Sequence, residues 1–397
     1  MSFSVVMYKK LGISNTDIAL YTSWLYLPWV IKPFWSPFVD ILKTKRFWIV
    51  AMQFVMGAAM AGVALTIPGP GFFRWSLLFF WLIAFSSATH DIAADGFYML
   101  SIDDSNQAWF VGIRSTFYRL AMIAGQGLLV ILAGKLEVSL NDLPLAWAIT
   151  MGCVAVMFLV FMLYHRFALP HPAADREGAE AHAGSLVSEF VTTFRAFFAK
   201  KHVWVTILFI LLYRFSEAQL VKIAAPFMLD SIELGGLGLT TIQVGYVYGT
   251  VGMISLTLGG LLGGFLAAKH GLKYWLWWMV AAINLPNAVY VLLSMFQPQN
   301  PLLIYVAVAV EQFGYGFGFT AFMLYMIYAA QGEYKTAHFA LLTGFMALGM
   351  MIPGMFSGWI QEMLGYQNFF IWILIATIPG FLVASLVDID PEFGKPE

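Results

Sequence analysis

Charge is what this chain has least of. Only 11% of its 397 residues are Asp, Glu, Lys or Arg, whereas soluble globular chains carry about 25%. The 22 acidic and 21 basic residues leave a formal net charge of −1, so no global field recruits nucleic acid. Cysteine is almost missing: Cys153 stands alone in an apolar run, which excludes an internal disulfide and a thiolate metal site. No metal-ligand spacing, nucleophile elbow or phosphate-binding loop is present, so the sequence predicts no enzyme, no cofactor and no metal. His90, Asp91 and Asp95 suggest an intramembrane hydrolase at first sight, but no nucleophile motif or second spanning His completes the set. The opening residues MSFSVVMYKK lack the basic-then-apolar order and cleavage site of a secretory signal.

What replaces charge is apolar length. The chain is 60% hydrophobic, with mean hydropathy +0.78. A bilayer is crossed by about 20 apolar residues in a helix, and inside it every backbone polar group needs an internal partner. The expectation is an all-α polytopic membrane protein. Full spans are predicted near 17–42, 47–67, 73–100, 108–134, 144–167, 203–230, 241–268, 273–296, 301–330, 335–362 and 366–388. The polar stretch 169–202 divides them into an N-terminal bundle (1–168) and a C-terminal bundle (203–388), with a tail at 389–397. Within the linker, Leu186–Lys201 is apolar-periodic with Arg195, Lys200 and Lys201. That pattern reads as a surface helix or an ordinary linker helix.

The two halves echo each other. LGIS-NTDIALY (Leu11–Tyr21) resembles LGLT-TIQVGYV (Leu237–Val247) at an offset of 226, and AWFVGIR (Ala108–Arg114) sits against AHFALLT (Ala337–Thr343) at 229. Tandem halves of like orientation are a known transporter plan. A whole span precedes LGLT but only ten residues precede LGIS, so the repeat predicts a first span of which Ser2–Tyr8 is the last part. Lys and Arg gather on one side (Lys43, Lys45, Arg46, Arg166, Arg176, Arg195, Lys200, Lys201, Lys269, Lys273, Lys335, Lys395), with Lys9, Lys10, Arg74 and Lys135 on the other. The rich side is expected to be cytoplasmic, and with it the linker and the C-terminus.

Charges inside the spans carry the functional signal, because such groups line a polar path or pair with one another. Counting the inferred first span, span 2 holds Lys32, span 4 Asp91 and Asp95, span 5 Arg114 and Arg119, span 7 Arg214, Glu217 and Lys222, and span 10 Glu311. Spans 3, 6, 9 and 12 hold none and read as peripheral. Asp91 and Asp95 share one helix face. Fixed ion pairing, such as Arg214 with Glu217 at i, i+3, accounts for some of these charges. Titratable acids along a wet path account for the set more simply. Asp91, Asp95, Glu217 and Glu311 are the candidates for proton coupling. Lys32, Arg114, Arg119 and Arg214 are the candidates for holding an anionic cargo, since guanidinium forks suit carboxylates. Gly314, Gly316 and Gly318, and the GGLLGG run at Gly259–Gly264, read as close helix packing.

These features together resemble the major facilitator superfamily over essentially the whole chain. Ser36–Arg46, SPFVDILKTKR, is similar to that family's loop between spans 2 and 3. Asp40, Lys45 and Arg46 match; Thr44 stands where Gly is usual and the spacing is one longer. The resemblance implies a gating role for this loop. LYTSWLYLPWVIKPFWSPFVD, SSATHDIAADGF and GIRSTFYRLAMIAGQG are similar more narrowly to the AmpG-type muropeptide permeases, which are related to acetyl-coenzyme A transporters. The resemblance implies a monomeric secondary importer in the inner membrane lipid bilayer, moving a cell-wall-derived, muropeptide-like or other small anionic solute with protons by alternating access. Acyl-coenzyme A, a sugar or a peptide as cargo, or a non-transporting receptor or scaffold, are the rival expectations.

Overall fold

The computed structural model of the chain describes residues 3–101, 113, 116–173, 175 and 183–395, with the side chains at 37, 40, 41, 99 and 183–190 outside that description. Among the described residues there is no strand. The helices are α1 (Phe3–Lys10), α2 (Asn15–Trp24), α3 (Leu27–Leu42), α4 (Lys45–Thr66), α5 (Phe72–Ser101), α6 (Thr116–Leu140), α7 (Leu143–Ala168) and α8 (Ala183–Phe198). They continue with α9 (Val203–Leu229), α10 (Thr241–His270), α11 (Leu272–Phe296), α12 (Pro301–Ala330), α13 (Lys335–Ile375) and α14 (Ile378–Leu386).

Nine runs among the described residues are long and apolar enough to cross a membrane. Two local breaks reconcile that number with the eleven expected spans. The expected span 17–42 is divided at Leu25–Tyr26 into α2 and α3, of 10 and 16 residues, neither long enough alone. Pro28 lies in the first turn of α3, where its missing N–H is harmless. At the other end, one run from Lys335 to Leu386 holds two spans, because Gly365 turns the chain at φ 72°, a left-handed conformation that glycine adopts without strain. The chain is an all-α, multi-pass membrane protein.

Helix starts follow the capping residues. Asp142 Oδ1 accepts from Leu145 N at 3.0 Å, Thr44 Oγ1 from Phe47 N at 3.1 Å, and Asn300 Oδ1 from Leu302 N at 3.0 Å. Each satisfies a backbone donor that the first turn leaves free. The internal echo is structural as well. Gly12 (φ 83°) and Gly238 (φ 64°) both turn left-handed just before a helix. Ser14 Oγ then accepts from Asp17 N at 3.0 Å, and Thr240 Oγ1 from Gln243 N at 3.3 Å. Ser14 and Thr240, like Asp17 and Gln243, stand 226 apart.

The described chain forms two compact units. One comprises residues 1–24, 122–134 and 195–397. Here α10, α11 and α12 pack closely: a Cβ on Gly316 would lie 2.0 Å from Leu256 O, and one on Gly314 2.1 Å from Ala282 O. The other comprises 25–121 and 135–194. Its core joins α3, α4 and α5 through Val39, Ile49, Ile92, Ala93 and Phe97.

Candidate functional site

In the first unit, the polar assembly is built around α9. Among the described runs this helix is the most enclosed, with 61% of an apolar 18-residue stretch buried against 28–44% for the others. The helix is interrupted at Arg214 (φ −109°, ψ 23°) between Val203–Leu212 and Phe215–Leu229. The interruption turns the guanidinium into a nest of aromatic rings on α12. Arg214 Cζ lies 5.4, 4.9 and 5.8 Å from the ring centres of Tyr315, Phe319 and Phe322, and Nη2 donates to Tyr315 Oη at 2.5 Å. Facing rings hold a cation through their quadrupoles. Among the described ion pairs there is none between Arg214 and Glu217, so the i, i+3 pairing expected from spacing is replaced by cation–π contact.

Glu217 and Glu311 are 5% and 3% exposed. Tyr290 Oη donates to Glu311 Oε2 at 3.4 Å, and Gln312 Nε2 reaches Oε1 at 3.2 Å and Oε2 at 2.9 Å. Tyr248 and Tyr290 share a hydrogen bond between their hydroxyls. Two acids, an arginine and two phenols are thus gathered from α9, α10, α11 and α12. Arg214 Nε and Glu217 Oε2 are buried with no hydrogen-bond partner. Such atoms are costly when left alone and can accept or donate to an incoming group. Tyr248, Tyr290, Gln312 and the aromatic ring set were not singled out in the sequence, because only formal charge was read as a signal.

The second unit has its own constellation. Lys32 of α3 forms an ion pair with Asp91 of α5, and its ammonium lies 5.3 Å from the Trp29 ring centre. Asp95 follows one turn later on α5 and is half-buried. One partner of Asp91 is therefore on α3. Of the span 5 arginines, Arg119 is half-buried on α6 and Arg114 lies outside the described residues. His90, beside the acids, stands near His165. His165 in turn is bonded to Gln53.

The loop residues take a different part. The backbone N–H groups of Lys45 and Arg46 donate to the Asp175 carboxylate at 2.7 and 3.0 Å. The Arg46 guanidinium donates to Leu169 O at 3.3 Å and to Arg166 O. The start of α4 is therefore tied to the segment leaving α7, an anion sitting at a helix N-terminus. The Asp40 side chain lies outside the described residues. Among the described residues, no group of three or more His, Cys, Asp or Glu could hold a metal ion.

Comparison with known proteins adds the following. A family profile described as "Major Facilitator Superfamily" matches residues 1–338. The chain is 26% identical over 360 residues to the anhydromuropeptide permease of Escherichia coli, covering 89% of this chain and 69% of that protein. It is 24% identical over 395 residues to a protein of Rickettsia conorii that carries the transporter name AmpG 4, covering 96% and 91%. Among solved structures, a mutant form of the nucleoside transporter NupG superposes with TM-score 0.69 at 16% identity, covering 97% of this chain and 94% of that one. A D-xylose-proton symporter does so with TM-score 0.69 at 11% identity, covering 97% and 92%. At these identities the structural likeness speaks to the fold alone.

Proposed function

The chain belongs to the Major Facilitator Superfamily, and on that premise we propose that it imports an anionic, muropeptide-like solute together with protons. It is a transporter of a small molecule and not an enzyme. The observation that carries the finer reading is the buried assembly of Arg214, Glu217, Glu311, Tyr248 and Tyr290. Two carboxylates held among apolar helices are hard to keep ionised together, so each is suited to binding and releasing a proton. A guanidinium whose Nε is unpartnered is suited to a carboxylate on the cargo. The anhydromuropeptide permease relative supports a cell-wall fragment as that cargo. Lys32, Asp91 and Asp95 form the corresponding charged set in the other unit, with Arg114 and Arg119 as further cargo cations.

In this reading the protein is a monomer in the inner membrane. Its two halves, 1–168 and 203–388, alternate access to a midplane site, the 169–202 linker and the tail lie in the cytoplasm, and the Asp40–Arg46 loop acts as a cytoplasmic gate. The test is uptake of labelled anhydromuropeptide into proteoliposomes under an imposed pH gradient. The parent should accumulate cargo. Glu311→Gln and Glu217→Gln should lose accumulation at least 10-fold while keeping counterflow exchange. Accumulation by both variants at the parent level removes these acids from coupling. No uptake by the parent removes the cargo assignment, and acyl-coenzyme A, sugars and peptides are then the next solutes to assay.

A further inference from the structure

We propose that the cavity at the start of α9 is a binding site for the headgroup phosphate of an anionic phospholipid. The inference needs α9 and α12 to cross the membrane and is independent of the cargo. The cavity has a volume of about 480 Å³ and lies between the end of the linker, the start of α9 and the end of α12, a size typical of ligand sites. Lys200, Lys201 and His202 form one wall. His202 turns left-handed (φ 63°) immediately before α9, a conformation uncommon outside glycine. The turn sets the two lysines beside the first turn of the helix. No side chain caps that turn, and its Val203 and Val205 line the cavity. An uncapped helix start attracts an anion through its free backbone N–H groups.

Two features of the lining call for an anion. Lys200 Nζ donates to Ala329 O and Gln331 O at the end of α12, both at 2.7 Å. Its charge thus meets two carbonyls in place of a carboxylate. Burial pulls its pKa below the ordinary lysine value, and a phosphate alongside offsets that cost. Among the buried lining residues, Thr206 and Tyr325 are 8% and 4% exposed, and their hydroxyls lie 3.1 Å apart. Two hydroxyls carry two protons and their mutual bond uses one, so one buried donor has no acceptor among the described residues. A phosphate oxygen supplies it. Asp388, an acid on the rim, has Lys273 as counter-ion at 3.9 Å. The tail that carries it is held in place, since Asp390 N donates to Tyr328 Oη at 3.3 Å and the Phe393 and Tyr328 ring centres are 4.9 Å apart. Depth in the membrane favours a lipid over a soluble phosphate ester. Trp204, in the first turn of α9, is 71% exposed with its ring 5.9 Å from that of Phe198, and tryptophans at span ends sit at headgroup level. Basic pockets between spanning helices at that level suit anionic headgroups.

The test is thermal unfolding of the purified full chain in detergent, titrated with short-chain phosphatidylglycerol, with phosphatidylcholine of equal chain length and with inorganic phosphate. Phosphatidylglycerol should raise Tm saturably, with an apparent Kd about 5-fold or more below that of phosphatidylcholine. Inorganic phosphate at the same concentration should leave Tm unchanged. Lys200→Gln/Lys201→Gln should weaken phosphatidylglycerol binding by about 5-fold or more. Thr206→Val/Tyr325→Phe, which keeps every charge, should weaken it by about 3-fold or more. Arg166→Gln/Lys269→Gln removes the same charge elsewhere and should stay within about 2-fold of the parent. Equal binding of the two lipids, parent-like binding in either site variant, or equal weakening by the distant pair overturns the site. Protection by inorganic phosphate that matches phosphatidylglycerol overturns the lipid assignment. If the lysine variant does not fold, the hydroxyl variant, with its charges intact, decides alone.

Discussion

At the scale of single residues, the decisive pair is Lys32 with Asp91. Their side chains are 22% and 31% exposed, so the pair is neither a surface bridge worth little nor a fully desolvated one. Removing either charge should destabilise the protein by about 1–2 kcal/mol, intermediate between those cases. The double variant Lys32→Gln/Asp91→Asn should lose less than the sum of the singles, because both singles remove the same interaction. Heating purified protein in detergent and following the folded fraction measures this, and strictly additive losses would show that the pair is not energetically coupled. The acids were legible in the sequence, since carboxylates at i, i+4 in an apolar span must face something polar. One partner was not: Lys32, which pairs with Asp91, lies 59 residues before it, a choice fixed by which helices pack. Arg214 teaches the same lesson. Spacing alone favours Glu217, but the break at residue 214 turns the guanidinium to three aromatic rings.

At the scale of elements, apolar run lengths located the spans well, and the periodicity of Leu186–Lys201 anticipated α8. What the runs could not show was interruption. The π-turns at Ala124–Leu128 and Gly245–Gly252 are of this kind. These widened turns let α6 and α10 cross at glycines, where a Cβ on Gly249 would lie 1.9 Å from Gly127 Cα. Nothing in periodicity distinguishes those glycines from Gly125, whose added Cβ would meet nothing within 4 Å. The contrast makes a prediction. Gly249→Ala should cost about 1–3 kcal/mol through overpacking against backbone, whereas Gly125→Ala should be neutral or stabilising by up to about 1 kcal/mol through helix propensity. Thermal unfolding of the two variants side by side checks the sign, and matching values would mean that the crossing is not tight. Formal charge was also too coarse a guide to the inside of the bundle. The window of α11, which holds no acid, is 44% buried, and that of α12, which carries Glu311, 39%. The uncharged polar groups of α11 supply the reason: Asn284 Oδ1 accepts from Ser216 Oγ at 3.1 Å, and Tyr290 serves Glu311.

At the scale of the whole molecule, the sequence echo at offset 226 became a repeated left-handed glycine and a repeated cap, so the duplication was readable wherever local turn chemistry recorded it. Orientation in the membrane is a property of the chain as a whole and follows from where its basic residues lie. The clusters of two or more Lys or Arg from 43 onward, in the segments around 43–46, 166–202 and 269–273, are expected on one face, because basic residues near span ends are retained on the cytoplasmic side. Lys9, Lys10, Arg74 and Lys135 are too few to reverse that bias. The expected outcome is that Ser185, at the start of α8, and Lys395, beyond α14, are both cytoplasmic. Each is replaced separately by Cys in a Cys153→Ser background, which leaves a single thiol. An impermeant thiol reagent should leave both unmodified in intact cells and modify both after the membrane is opened. Strong labelling of Ser185→Cys alone in intact cells would put the linker outside and break the parallel-halves arrangement, because an even number of spans must separate the linker from the tail if both lie on one side. Labelling of both would invert the molecule and turn the proposed importer's direction of access around.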